Sequence, residues 1–357
     1  MIKIEKVDTR NKGQVNRFLR IPFVLYEGHP QWVPPLLIDT SMQLNRQKHP
    51  FYEHSDADFF IATRDGRDVG RIAVLENRPF NRYHGSRQAQ FYLFDCEDDL
   101  DVALGLFEQA FEWSRARNLN RIVGPKGFSP FDGYGVLIDG FEQRQMMNMM
   151  NYNYPYYSKL VESAGFKKEV DFVSCYIAAE KFTMPERIHR IAERVQQRGT
   201  LTVRRLETKR DLKNWAERIG KAYNQAFINN WEYYPLTARE IQFVLDSLLQ
   251  VADPKMVKII THQEDVVGFV LGFPDVSEGL KKAKGRLLPF GLIHILRDMT
   301  RTNWVSLNGA GILQEFQGRG GNAVLYCEME HTLRQYGRFQ HAELTQVAET
   351  AVQMRKD

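Results

Sequence analysis

Two hairpin signals, one in each half of the chain, constrain the fold more than any other feature. In "DADFFIATRDGRDVGRIAVLENR" two apolar runs flank Asp65-Gly66, and in "MVKIITHQEDVVGFVLGFPD" two more flank the turn residues Gln263 to Asp265. Asp-Gly between such runs is a tight turn joining antiparallel strands. Each hairpin is followed by strand, helix and strand. The first half reads "AQFYLFDCEDD", "LDVALGLFEQAFEWSRARNLN" and "RIVGP"; the second reads "WVSLNGAGIL", "GNAVLYCEMEHTLRQYG" and "HAELTQV". Strand and helix also precede each hairpin: "IKIEKV" and "NKGQVNRFLRIPFVLYEG", then "LTVRRLE", "KNWAERIGKAYNQAF" and "TAREIQFVLDSLLQV". The repeat is one of pattern rather than residue identity.

The chain has 357 residues, and domains run to about 100–200 residues each, so two are expected. The pattern predicts two α/β domains, each a mixed, mostly antiparallel sheet flanked by helices. The first spans 1–180, where the short helix "PYYSKLVESAGF" and the strand "VDFVSCYI" close the set. Residues 181–199 form a connecting helix, and 200–357 form the second domain. That domain ends early, after "AVQMRKD". A neighbouring element, the other domain or a second copy of the chain is needed to complete its sheet, so a homodimer is one expectation.

Composition narrows the function classes. A formal net charge of +4 lacks the concentrated basic charge of a nucleic-acid binder. Cys96, Cys175 and Cys327 are widely spaced and form no C-x-x-C, which argues against a disulfide framework or a zinc site. The nine histidines form no H-x-H or H-x-x-x-H, and G-x-S-x-G is absent. The charged start "MIKIEKVDTR" has no apolar signal region. No run approaches the roughly 18 apolar residues of a membrane span. A cytoplasmic, non-metal protein is expected.

The chemistry concentrates in "QEFQGRGGNAVLY", residues 314–326, where Gly318, Gly320 and Gly321 lie between a strand and a helix. A helix start carries unpaired N–H groups and a positive dipole end. Glycines let an anion approach that backbone closely, and Arg319 adds a positive side chain. Leu325, Met329 and Leu333 lie four apart and give the helix a face to bury. A P-loop would need Lys and a hydroxyl residue, which are missing here. A dinucleotide fingerprint is met literally by Gly318, Gly320 and Ala323, with Glu343 20 residues on, yet only 34 residues follow Ala323. That is too few for the rest of a doubly wound sheet.

The stretch resembles the acyl-CoA pyrophosphate loop of the GNAT superfamily of N-acyltransferases, [Q/R]-x-x-G-x-[G/A] after the fourth strand. Gln317 or Gln314 takes the leading position, Gly318 and Gly320 match the glycines, and Asn322 stands where Gly or Ala is usual. The element order of nearly the whole chain is similar to tandem GNAT-fold proteins of bacteria. In the first half, "FYLFDCEDDLDVALGL" has five acidic residues and no phosphate loop where one would lie. The resemblance implies transfer from acetyl-CoA or another acyl-CoA to the amine of a small molecule or peptide. It implies cofactor binding by Leu313, Gln317, Gly318, Arg319, Gly320, Gly321, Asn322 and Ala323, with the Leu313 N–H, or a neighbour's, polarising the thioester carbonyl. An amine of pKa roughly 8–10 must lose a proton. Glu232 and Glu349 are the candidate bases, and Tyr234, with its neighbour Tyr233, the candidate acid. A non-catalytic tandem module that binds a ligand or partner is the alternative. A non-CoA donor such as an aminoacyl-tRNA is a third, disfavoured by the low charge.

Three further stretches have more than one reading each. "GPKGFSPFDGYGVLIDGF" is a loop that presents Asp132 and Tyr134 to a substrate or merely covers the sheet. "MMNMMNYNYPYY" suits an interface or an acyl ligand. "KKAKGRLLPFGLIHILRDMTR" is a solvated basic loop entering a buried helix, a guide for the 3′-phosphate of CoA, or a segment that rests on an anionic membrane.

Overall fold

The structure is a computed structural model that describes residues 1–146 and 150–351. Its strands are β1 (Ile2–Lys6), β2 (Asp56–Arg64), β3 (Arg67–Glu76), β4 (Gln88–Cys96), β5 (Arg121–Val123), β6 (Phe172–Ala178), β7 (Thr202–Arg205), β8 (Val257–His262), β9 (Asp265–Pro274), β10 (Trp304–Ile312) and β11 (His341–Ala348). Its helices are α1 (Lys12–Leu25), α2 (Leu37–Gln43), α3 (Arg78–His84), α4 (Leu100–Arg115), α5 (Tyr157–Ser163), α6 (Glu186–Arg198), α7 (Lys209–Ala226), α8 (Ala238–Val251), α9 (Ser277–Ala283), α10 (Gly291–Arg301) and α11 (Gly321–Tyr336). They gather into two compact units. One holds Met1–Phe172 with Ser277–Leu296; the other holds Val173–Val276 and the chain from Arg297. This division departs from 1–180, 181–199 and 200–357 in two respects. Nearly all of the strand expected to close the first domain lies in the second unit, and α9 with the part of α10 through Leu296 lies in the first.

The first unit has a five-stranded sheet in the order β1-β2-β3-β4-β5. Asp65 and Gly66, both at positive φ, make the hairpin turn between β2 and β3. Side chains alternate between two cores, as a strand period of two requires. Phe59 and Ile61 join Phe18 and Phe128 on one face, whereas Phe60 and Ala62 join Phe91 and Phe107 on the other. Arg71 and Asp95 are directly opposed across β3 and β4 and form a buried pair at 2.7 Å.

The tyrosine-rich stretch is spent inside this unit. Met147, Asn148 and Met149 lie outside the described residues. Tyr154 stacks on Tyr26 at 5.0 Å, and Tyr157 Oη hydrogen-bonds Tyr26 Oη at 3.0 Å and accepts the Cys96 N–H at 3.0 Å. Asp132 is likewise an internal anchor: it accepts from Gln43 Nε2 (2.9 Å) and the Ser129 N–H (2.8 Å), and burial raises its pKa. The Tyr134 hydroxyl donates to the Pro130 carbonyl.

The second unit has six strands in the order β6-β11-β10-β9-β8-β7. The missing edge is thus supplied by β6, which precedes the rest of the unit in sequence. Tyr176 of β6 donates to, or accepts from, His341 Nδ1 of β11 at 2.7 Å, and His341 stacks on Trp304 of β10 at 4.5 Å. Helices α7 and α8 cover one face, where Phe269 meets Tyr223 and Phe227. Helix α11 covers the other, where Gly272 comes within contact of Met329. Thr208 and Thr237 start α7 and α8 with complete capping boxes. Thr237→Ala is expected to lower stability by about 1 kcal/mol, read as a small fall in Tm with native circular dichroism.

Candidate functional site

The site grows from an irregularity in β10. Along its pairing with β9, Leu307 faces Gly272 and Ala310 faces Val270, so Asn308 and Gly309 together oppose Leu271 alone. This is a β-bulge, and Gly309 sits in it at φ +96. A bulge takes main-chain groups out of the ladder and bends the strand, and bulges recur beside active sites. The sequence carried a signal for it in the glycines of "SLNGAG", inside an otherwise apolar strand.

On its other side β10 runs parallel to β11, but only Trp304–Leu307 pair with His341–Leu344. Beyond Leu307 both strands continue, to Ile312 and Ala348, without pairing to each other. The bulge therefore stands where the sheet parts. The chain leaving β10 then turns through Gln314–Phe316 and Gln317–Gly320 into α11.

That turn is built for backbone exposure. Gly318 has φ +71 with open space where a side chain would lie. Gly320 has φ +83, and a Cβ there would come within 2.8 Å of both Ile191 and Val195 of α6. Gly321 is buried, and a Cβ on it would meet Ile260 at 2.7 Å. The first main-chain bond of α11 runs from the Val324 N–H to the Gly320 carbonyl at 3.3 Å. The Gly321 and Ala323 amides precede it, Asn322 has a partner of its own, and Gly320 has no side chain with which to cap this helix end. Arg319 is exposed over the Phe316 ring, 5.0 Å from its centroid, and the Gln317 side chain donates to the Ile312 carbonyl at 3.2 Å. The arrangement presents amides and one cation, the donors a phosphate group requires.

The equivalent junction of the first unit is closed. β4 is also bulged, with Leu93 at φ +47, and it pairs with β5 over only three residues. There Asp99 caps α4, accepting the Val102 N–H at 3.1 Å, and pairs with Arg64. The chain's own carboxylate fills the end that α11 leaves uncapped.

Leu313 requires a correction. Its N–H donates to the Val267 carbonyl at 2.9 Å, which continues the ladder with β9, and the residue is buried. That amide is committed and cannot polarise a carbonyl; the bulge at Asn308–Gly309 is the place on this strand where the ladder is interrupted. Glu232 and Tyr234 both lie in the loop between α7 and α8. Glu232 is half-buried at φ +51, whereas Tyr234 is fully buried. Glu349 is half-buried just past the end of β11. The glycine turn is thus one contiguous surface, and the three acid–base candidates come from two other segments.

A second cleft, of about 510 Å³, lies between α6 and α11. In it Cys327 Sγ is 3.4 Å from His189 Nδ1, and His189 Nε2 is 3.6 Å from Glu330. The order thiol–imidazole–carboxylate is that of an activated nucleophile. The electrostatics oppose that role: burial, then the carboxylates of Glu330, Glu328 and Glu193, raise the thiol pKa and keep it protonated. Among the described residues, no group of three or more His, Cys, Asp or Glu could hold a metal ion.

No family model matches the sequence. The chain is 31% identical over 294 residues to the bacterial ceramide synthase of Caulobacter vibrioides, covering 81% of this chain and 75% of that protein. It is 26% identical over 286 residues to protein YghO of Escherichia coli, covering 80% and 72%. In fold it is similar to the tandem GNAT protein from the clavulanic acid biosynthesis pathway, with a TM-score of 0.54, 10% identity, and 100% and 94% of the two chains covered. A GCN5-related glucosamine N-acetyltransferase region of a fungal multi-domain β-N-acetylglucosaminidase also matches with a TM-score of 0.54 and 11% identity, over 99% of this chain and 36% of that one. With its two bulged, mixed sheets and its open glycine turn, the chain is a tandem GNAT-fold protein and belongs to the family of the Caulobacter bacterial ceramide synthase.

Proposed function

We propose that the protein is an acyl-CoA-dependent N-acyltransferase whose acceptor is a long-chain amine. The observation that carries the donor half is the uncapped start of α11, placed beside the parting of β10 and β11. The acceptor half draws on the Caulobacter relative, since a ceramide is a long-chain amino alcohol acylated on nitrogen.

In this reading the amides of Gly321 and Ala323 and the Arg319 guanidinium hold the pyrophosphate. The pantetheine arm lies where β10 and β11 separate, and a main-chain N–H of the Asn308–Gly309 bulge polarises the thioester carbonyl. The donor supplies an acyl group activated as a thioester. A carbon–nitrogen bond forms to the amine as the carbon–sulfur bond breaks, and the thiol leaves with one proton. Glu232, half-buried, takes a proton from the ammonium, with Glu349 as the second candidate. Tyr234 is buried and serves the reading better as support for the Glu232 loop than as an acid. The three free cysteines suit a reducing cytoplasm.

Arg319→Glu and Gly318→Asp test the donor site without disturbing packing, because Arg319 is exposed and Gly318 faces open space. Each is expected to weaken acyl-CoA binding about tenfold or more, the scale of one charge-assisted contact of roughly 1.5–3 kcal/mol. Mass spectrometry of the wild-type protein with a long-chain acyl-CoA and sphinganine is expected to show the amide. Binding without product leaves a ligand-binding module; neither binding nor product removes the reading.

A further inference from the structure

The segment Lys281–Arg301 does not enter a buried helix. Only Gly291 and Ile295 of α10 are buried among its apolar positions. Leu292, Ile293 and Leu296 share its outer face and are 44%, 59% and 50% exposed. Leu288 and Phe290, in the loop just ahead, are 77% and 65% exposed. Single exposed apolar side chains are common, but five large ones on one continuous segment form a patch that requires an occupant.

The loop is held by the body of its unit. The Leu37 N–H donates to the Gly285 carbonyl at 2.9 Å, and Gly285 packs so closely on Phe23 and Leu37 that a Cβ would meet them at 2.6 and 3.1 Å. The apolar residues are therefore presented outward by a fixed scaffold rather than by a loose tail.

Charge identifies the occupant. Lys282, Lys284 and Arg286 are exposed immediately ahead of the apolar residues. Among the described residues no carboxylate pairs with them; Glu278 is matched by Lys281 at 3.0 Å. Arg297 and Arg301 follow on the same helix, with Asp298 the only acidic residue between Lys281 and Arg301. A protein partner with an apolar groove would not need this collar of cations. An anionic bilayer needs both parts: apolar side chains to enter the headgroup boundary and basic ones to meet the phosphates. An 11-residue helix of about 16 Å falls short of the roughly 30 Å hydrocarbon core, so the segment lies in the interface rather than crossing it. Among the described residues no helix is long and apolar enough to cross a membrane.

We propose that Leu288, Phe290, Leu292, Ile293 and Leu296 seat the protein on the surface of an anionic lipid bilayer, with Lys282, Lys284 and Arg286 on the headgroups. This binding requires no acyl donor, so its failure and the failure of acyl transfer are separately visible.

Vesicle flotation is the test, with phosphatidylcholine vesicles that contain about one third phosphatidylglycerol set against phosphatidylcholine alone. The wild-type chain is expected to float with the anionic vesicles and to be released by high salt. The double variant Phe290→Asp, Ile293→Asp is expected to lose about 100-fold in partitioning, the scale of two apolar side chains withdrawn from lipid. The triple variant Lys282→Glu, Lys284→Glu, Arg286→Glu is expected to lose at least about fivefold for each charge. Leu288→Cys, labelled with an environment-sensitive dye, reads the same contact without the acidic substitutions: its emission shifts to the blue on anionic vesicles. No flotation and no shift would overturn the proposal. So would a dimer in sedimentation that Phe290→Asp dissociates while vesicles leave the protein unbound, since the patch would then cover a second copy of the chain.

Discussion

Gly320→Val is expected to unfold the second unit at a clearly lower urea concentration, with a loss of about 3 kcal/mol. Two effects add. A Cβ at 320 would lie 2.8 Å from the methyl carbons of both Ile191 and Val195, and forcing bulk into a packed contact costs about 1–3 kcal/mol. The residue also sits at φ +83, where a branched side chain costs about 1–2 kcal/mol more. Gly318→Ala is the control. It is also left-handed, but nothing lies within 4 Å of its Cβ, so only the backbone penalty of about 1 kcal/mol applies. Equal losses at the two positions would mean that α6 does not pack on the turn. Acyl-CoA binding should fall with Gly320→Val as well, because the turn and α6 hold one another in place.

Asp95→Ala is expected to destabilise the first unit by about 3–5 kcal/mol, the usual result of leaving one member of a buried ion pair uncompensated. Arg71 is 4% exposed and Asp95 12%. The guanidinium donates through Nε to Asp95 at 2.7 Å and through Nη1 to the Phe18 carbonyl at 3.1 Å, and it lies 5.0 Å from the centre of the Phe18 ring. Removing the carboxylate strands this cation between β3, β4 and α1. The double variant Arg71→Met, Asp95→Leu should recover most of the loss, since apolar replacement of both partners removes the stranded charge. Urea unfolding of both proteins separates a pair that stabilises from one that only must not be broken; a single variant as stable as wild type would show that water reaches the site.

The elements that carry local signals were legible. Asp65-Gly66 and the Gln263 turn announced their hairpins, and the four-residue spacing of Leu325, Met329 and Leu333 announced α11. What the sequence concealed is long-range. "VDFVSCYI" reads as a strand, but nothing in its own residues says that β6 will pair with β11, more than 160 residues away. The α10 segment has a helical period, yet periodicity gives a face and not what covers it. Of its three readings, the buried helix fails, because Leu292, Ile293 and Leu296 are exposed. Leu313 follows directly on β10, and its amide is spent on the Val267 carbonyl, because register depends on the bulge at Asn308–Gly309. The two glycines of that strand were visible without showing where pairing would slip. The glycine turn itself was legible as a helix start, and the structure adds the reason Gly320 admits no side chain.

The most direct measurement of the account is a calorimetric titration of the full chain with a long-chain acyl-CoA, run in parallel on Gly318→Asp. The expected result is saturable binding to one site per chain, weakened at least about tenfold in the variant, the size of one lost charge-assisted contact, with the melting temperature of the variant lowered by only a few degrees, the cost of a side chain at positive φ. Absence of heat and of any competition by free coenzyme A, or equal affinity in the two proteins, would show that no anion is held at the start of α11.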